Sequence, residues 1–188
     1  APMVNSSLTT RIIPVHILTN SYRILGDVRV SNTGLNGLLT DTTSAFMQVG
    51  NASLARLTDP DKLVKKMPEI RLVKAQIHSA SLKRRQDVGP KPITRPGYSH
   101  VNTFHVEMTD SAFEYEGVFE WPGRFDFTAV ISGGSWEFLP IYQGLVRSIE
   151  HPEFSISSPA MLVNRNYIAT FTHTLHQEEE ESGGSPAF

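Results

Sequence analysis

The sequence predicts an all-β protein built from two similar β units, and three observations predict it. The first is an internal repeat. Tyr22-Arg23-Ile24-Leu25-Gly26 leads into Val28-Arg29-Val30, then residues 35–39, then Phe46-Met47-Gln48-Val49, and closes on Leu72-Val73-Lys74-Ala75-Gln76-Ile77. Phe113-Glu114-Tyr115-Glu116-Gly117, Val118-Phe119, residues 125–130, Trp136-Glu137-Phe138-Leu139 and Leu162-Val163-Asn164-Arg165-Asn166-Tyr167-Ile168 repeat that order 90 or 91 residues later. The second observation is a succession of short apolar or alternating runs bounded by Gly, Pro and Asn, the signature of strands joined by tight turns. The third is the scarcity of helical patterns.

The elements follow in order. Residues 11–18 form an apolar run with Ile13, Val15 and Ile17 on one face. Pro14 restricts it to an edge strand or a strand entry. Residues 22–30 alternate as a strand, and Gly26 in the middle marks a bend or bulge. Ser31-Asn32-Thr33-Gly34 is a turn; residues 35–43 and 45–49 follow as strands or as a short strand and turn, and Gly50-Asn51 turns the chain into residues 52–57. Residues 58–67 are the most helical stretch, with Asp59 as N-cap, Pro60 in the first turn and Pro68 as the stop. Residues 70–82 are a final strand. The second unit repeats the scheme with strands over 104–108, 113–121, 125–131, 136–149 and 160–174. Trp121, beside the Pro122-Gly123 turn, is expected at an exposed hairpin end.

The domain boundaries are a first unit at 9–82, a basic Pro/Gly linker at 83–100, a second unit at 101–176 and an acidic tail at 177–188. Units this small have marginal cores and are expected to pack against each other or against other subunits. Net charge is −2, yet residues 1–100 carry 14 Lys/Arg against six Asp/Glu, and residues 101–188 carry three against 13. That polarity favours a basic-to-acidic contact within or between chains. Glu178 to Glu181 are expected to meet Lys83, Arg84, Arg85, Lys91 or Arg95.

The chain has no cysteine, which excludes disulfides and thiolate chemistry. No run reaches the roughly 20 apolar residues that cross a bilayer as a helix, and no signal-peptide pattern is present. A cytoplasmic protein without a membrane partner is expected, Met3 being its natural start and Ala1-Pro2 a remnant before it.

Each unit is similar to an Sm-like β-barrel on two stretches. One is the aromatic–Gly–strand–turn–strand segment at residues 22–39 and 113–130; the other is the closing hairpin at 72–77 and 162–168. Asn164-Arg165-Asn166 resembles the Arg-Gly-Asp-like tip of that family, and Lys74-Ala75-Gln76 holds the place in the first unit. The arrangement is also similar to uncharacterised bacterial proteins of one or two such units. The resemblance implies two tandem small, strongly bent antiparallel β-barrels with little helix. It also implies edge-to-edge association, the last strand of one unit pairing with a strand of the next.

The chemistry-bearing residues suggest no catalyst, metal site or cofactor. His173 and His176, with Glu178 nearby, fall on opposite faces of a strand. Glu114 and Glu116 share a solvated face. Gly133-Gly134 lacks the lysine of a phosphate loop. The aromatic cluster Phe119, Trp121, Phe125, Phe127, Trp136, Phe138 and Tyr142 is expected to be core rather than a ligand pocket. The expected function is a non-enzymatic assembly protein forming a homo-oligomer. The alternative is an RNA-binding module using Lys74, Arg84, Arg85, Lys91, Arg95, Asn164, Arg165 and Asn166, since flexible cations neutralise phosphates without reading sequence. A third reading is a small-molecule-binding regulator with a pocket between the repeats.

Overall fold

The computed structural model describes residues 9–90, 93–134 and 136–175. Ten strands lie in one antiparallel sheet: β1 (Arg11–Leu18), β2 (Tyr22–Val30), β3 (Phe46–Arg56), β4 (Leu63–Val73), β5 (Ser79–Leu82), β6 (Val101–Thr109), β7 (Phe113–Pro122), β8 (Phe138–Ser148), β9 (Ser155–Asn164) and β10 (Thr170–Leu175). Two short α-helices, α1 (Gly34–Thr40) and α2 (Phe127–Ser132), follow β2 and β7. The all-β expectation holds. The spatial order is β10-β6-β7-β8-β9-β5-β1-β2-β3-β4. Its two halves run in one order, each with its last strand beside its first, and they meet where β9 pairs with β5.

The repeat extends to backbone detail. Leu18 pairs with Ser79 as Thr109 pairs with Thr170, 91 residues on. Thr19 Oγ1 accepts from Ser21 N and Tyr22 N, and Asp110 Oδ1 likewise accepts from Ala112 N and Phe113 N. Each half carries a bulge beside its glycine, at Leu25/Asp27 and at Glu116/Val118. The bulge holds a non-glycine residue at positive φ, Asn51 and Gln143, both at +48°. Bulges bend a strand and sharpen its twist, so the same curvature is built twice. Gly26 is required because a Cβ there would lie 2.5 Å from Val49 Cγ1 and 2.8 Å from the Gly50 carbonyl oxygen.

Curvature produces two cores. One lies against β1–β3 and includes Ile13, Val15, Ile17, Ile24, Val28, Leu35 and Leu39. The other holds Phe104, Phe113, Tyr115, Phe119, Trp121, Val130 and Val146. β9 serves both: Ala160 and Leu162 enter the first, Met161 and Val163 the second. Strands alternate their side chains between faces, so β9 is a wall shared by two cores.

Several expectations are corrected, among them the Gly50-Asn51 turn, which lies inside the continuous strand β3, and the single strands over 70–82 and 160–174, which 3-10 turns at 74–76 and 165–167 divide. Residues 35–43 and 125–131 are not strands but contain α1 and α2. Leu35, Leu38 and Leu39 have the spacing of one helix face, and they pack onto the first core. Asp126 caps α2 by accepting from Ala129 N at 3.0 Å. Residues 58–67 make a turn and then enter β4, which continues through Pro68 because β4 is an edge strand. Pro14 is inside an internal strand, neither on an edge nor at the entry, and is tolerated there because the ladder to β5 begins only at Val15. Trp121 is fully buried, its Nε1–H donating to the Arg124 carbonyl at 3.1 Å.

Residues 83–90 are more than a spacer. A 3-10 turn, Arg85–Val88, buries Val88 in the first core and Asp87 beneath the guanidinium groups of Arg11 and Arg84. Burial works against the Asp87 charge, but the two arginines outweigh it and hold its carboxyl below the usual range.

The β9–β5 seam pairs Ser79, Ala80, Ser81 and Leu82 with Val163, Leu162, Met161 and Ala160. Side chains of β9 clamp both ends: Asn164 Nδ2 donates to the Ile77 carbonyl at 2.8 Å, and Ser158 Oγ donates to that of Leu82 at 2.6 Å. Beside the seam, buried His78 donates Nδ1–H to Asp110 Oδ2 at 2.8 Å. Tyr115 donates to the same oxygen at 2.9 Å. Tyr167 stacks on the His78 ring with centroids 4.1 Å apart. Burial opposes the Asp110 charge, yet the hydrogen bonds from His78, Ala112 and Tyr115 prevail and lower its pKa.

Two outcomes follow for urea unfolding. Gly26→Ala should cost about 1–3 kcal/mol as an overpacking change. Gly50→Ala, whose Cβ meets nothing nearer than 3.7 Å, should cost much less; equal effects would refute the close-approach role. Asp110→Ala strands the side-chain donors of His78 and Tyr115 and the amides of Ala112 and Phe113, and should cost about 3–5 kcal/mol. In a His78→Ala background it should cost at least about 1 kcal/mol less, since groups in one network couple; additive costs would show that the pair is not a unit.

Candidate interaction surfaces

The 91-residue equivalence makes β9 the counterpart of β4 and β10 the counterpart of β5. The inner pair is buried: Ser79 to Leu82 and Ala160 to Asn164 are each at most 5% exposed. Their counterparts are the two open edges of the sheet. β4 leaves Leu63 57% and Val73 49% exposed, with Lys65, Lys66, Glu69 and Arg71 along it. β10 leaves Thr170, Thr172, His173 and Thr174 exposed and Phe171 half-buried. Pro68 and Pro159 are equivalent too, so a proline borders the same four-residue pairing segment on β4 and on β9. Among the described residues each edge carries a row of backbone groups without a ladder partner, which is the general requirement for strand addition.

The residues expected to contact a polyanion do not form one cationic face. Lys74 is buried and donates Nζ to the Asp41 carbonyl at 2.8 Å. Asn164 is buried in the seam. Arg165 donates to the Gly133 carbonyl at 2.7 Å, while Asn166 is exposed. The two closing turns, Lys74–Gln76 and Arg165–Tyr167, do lie side by side across the seam, joined by Tyr167 Oη donating to the Ala75 carbonyl at 2.5 Å. Arg84 is bonded to Asp87. Arg85 pairs with Glu120 and lies 3.8 Å over the Tyr142 ring, and Arg95 packs against Tyr98 and Trp121 at 4.9 and 5.2 Å. Lys91, His176, the start of the chain around Met3 and Glu178 to Glu181 lie outside the described residues, as does the expected contact of that acidic run.

Among the described residues no group of three His, Cys, Asp or Glu is placed to hold a metal ion. His173 stacks on Phe125 at 3.8 Å, and Glu116 meets His105 at 3.2 Å on the surface. Phe119, Trp121, Phe138 and Tyr142 are buried as core and Phe125 and Trp136 pack against the second core, whereas Phe127, expected with them, is 47% exposed. No helix of the described residues is long and apolar enough to cross a membrane.

A groove of about 650 Å³ crosses the seam on the face that continues from the second core. Pro14 and His16 of β1, Leu25 and Asp27 of β2, Asn51 and Ser53 of β3, Ser81 and Lys83 at β5, and residues 156–159 of β9 line it. His16 stands alone in the sequence, and its only signal there is alternation, which places it opposite the Ile13, Val15 and Ile17 face. In the fold its Nε2 accepts from Arg23 Nε at 2.9 Å. Burial, together with the Arg23 charge, lowers the His16 pKa to about 4.

That shift sets a pH dependence. Unfolded His16 takes a proton near pH 6.5 and folded His16 near 4, so its contribution is complete above 6.5 and is lost as the pH falls toward 4. Between pH 7 and pH 5 unfolding stability should drop by about 2 kcal/mol through this group. His16→Gln should flatten that slope; an unchanged slope would remove His16 as its source.

No protein-family model, no curated protein and no solved structure matches the chain.

Proposed function

We propose that the protein is a non-enzymatic assembly protein, a tandem of Sm-like barrels whose chains join head to tail through their open sheet edges. The observation that carries this reading is the β9–β5 seam: β4 and β10 are the two equivalent halves of that contact, left open at opposite ends of the same sheet. Repeating it between chains pairs β10 of one copy with β4 of the next. The seam register, shifted by 91 residues, sets Thr170 opposite Leu72, Phe171 opposite Arg71, Thr172 opposite Ile70 and His173 opposite Glu69. Arg71 then faces an aromatic ring and Glu69 an imidazole. Such a contact is heterologous, so it closes into a ring when the rotation per chain divides a full turn and otherwise grows as a filament. The excess of positive charge through residue 100 and of negative charge after it supports the same orientation, basic edge to acidic half. Exposed Leu63, Val64 and Val73 supply apolar area along β4.

The test is the mass of the native particle by light scattering at about 50 µM in moderate salt. The wild type should be a multiple of the 20.9 kDa chain. Leu82 turns its N–H and its C=O toward β9, where both meet Ser158 Oγ, and its counterpart on β10 is His173. His173→Pro therefore removes an outward donor without touching the ladder to β6. It should reduce the particle to single chains with an unchanged circular dichroism spectrum. A monomeric wild type, or a His173→Pro variant that assembles fully, would overturn the reading.

A further inference from the structure

The seam groove holds three hydrogen-bond donors that the fold itself does not use. Ser81 is 5% exposed and lines the groove, and among the described residues its buried hydroxyl has no hydrogen-bond partner. A buried hydroxyl left unpaired costs free energy, and in native proteins it calls for an explanation. Directly across the ladder stands His16. Because guanidinium nitrogen only donates, His16 Nε2 is the acceptor in its bond with Arg23, and the ring proton sits on Nδ1. Lys83, two residues past Ser81, lines the same groove and makes no ion pair among the described residues.

Cross-strand neighbours stand about 5 Å apart and alternate residues about 7 Å apart, so one small group can reach all three donors. Two are neutral and one is cationic, which suits an anion with several acceptor lone pairs. Pro14, Leu25, Ile156 and Pro159 give the wall its apolar part, and Asn51, Ser53, Ser157 and Ser158 line it as well. The carboxylate of Asp27 is bonded to Asn51 Nδ2 at 3.1 Å. It lies two strands from Lys83, about 10 Å by strand spacing, and so leaves the Lys83 end as the anionic-group end. The volume of about 650 Å³ is in the ordinary range for small-molecule sites, mostly apolar with a few placed polar groups.

We infer that this groove is a binding site for a small organic carboxylate with an apolar body, its carboxylate held by Ser81 Oγ, His16 Nδ1–H and Lys83 Nζ and its body lying along Leu25 and Ile156. The site spans both halves of the chain: β1, β2, β3 and β5 come from one and β9 from the other. It would therefore report on the seam without being part of the open edges.

The experiment titrates the full chain with sodium octanoate and, separately, with octanol, following backbone amide shifts by NMR. Octanoate should bind saturably at low-millimolar concentration and perturb the amides of residues 15–16, 25–27, 51–53, 81–83 and 156–158. Octanol, equal in chain length and lacking the charge, should bind at least fivefold more weakly. Ser81→Val and Lys83→Gln remove no internal hydrogen bond and should fold normally, and each should weaken octanoate about tenfold. Shifts confined to other residues, equal affinity for octanol, no saturation by 20 mM, or variants that bind octanoate as the wild type does would each overturn the assignment.

Discussion

The pairing of β9 with β5 is the constraint on which the rest of the molecule depends. Each half by itself is a five-stranded sheet with two open edges and a small core. Joining them at β9–β5 pairs two of those four edges and turns β9 into a wall with apolar side chains on both faces. The first core then borrows Phe138, Tyr142, Ala160 and Leu162 from the second half, and the second borrows Leu18 and Leu57 from the first. Two cores that would be marginal alone thereby share residues.

Polar groups decide how that pairing is held. Backbone ladders tolerate slippage where side chains do not specify register, and here the specification is explicit. Asn164 and Ser158 bond the chain at the two ends of β5, and the His78–Asp110–Tyr115 network sits beside it. A buried polar network adds little net stability over well-packed apolar side chains, but removing one member leaves the others unsatisfied and is costly. Its physical effect is therefore on uniqueness: a slipped seam would leave Asp110 without His78. The equivalent positions at the open edges, Ala169 for His78 and Thr19 for Asp110, carry no such pair. The inner junction is locked and the outer edges are not.

Curvature is the second shared device. Gly26 and Gly117 let the neighbouring strand approach, and Asn51 and Gln143 accept a positive φ so that the bulge can form. These features bend each half around its own core, and the bend places the outward face of the first half beside the second core. The seam groove arises there, where Ser81 and His16 lie just past the last residues that the second core covers.

Much of this was legible in the sequence. The repeat, the strand alternation and Gly26 as a bulge are local matters, set by period-two patterning and by the conformational freedom of glycine. The helices α1 and α2 were not read, although Leu35, Leu38, Leu39 and the capping Asp126 carried their signal; six or seven residues are too few to outweigh the strand-like composition around them. The helix expected over residues 58–67 had good local chemistry, but β4 forms because β3 offers it a ladder, with partners 8 to 15 residues away in that stretch. Trp121 and Lys74 are buried for the same kind of reason, since exposure depends on what another segment places over a residue. The edge order was beyond the sequence as well: pairing energy accrues between strands such as β5 and β9, whose residues lie about eighty positions apart. By itself the sequence determined what each half is. Only the tertiary structure decided which edges are closed, which are open, and which polar side chains, Ser81 and His16 among them, are left facing a groove.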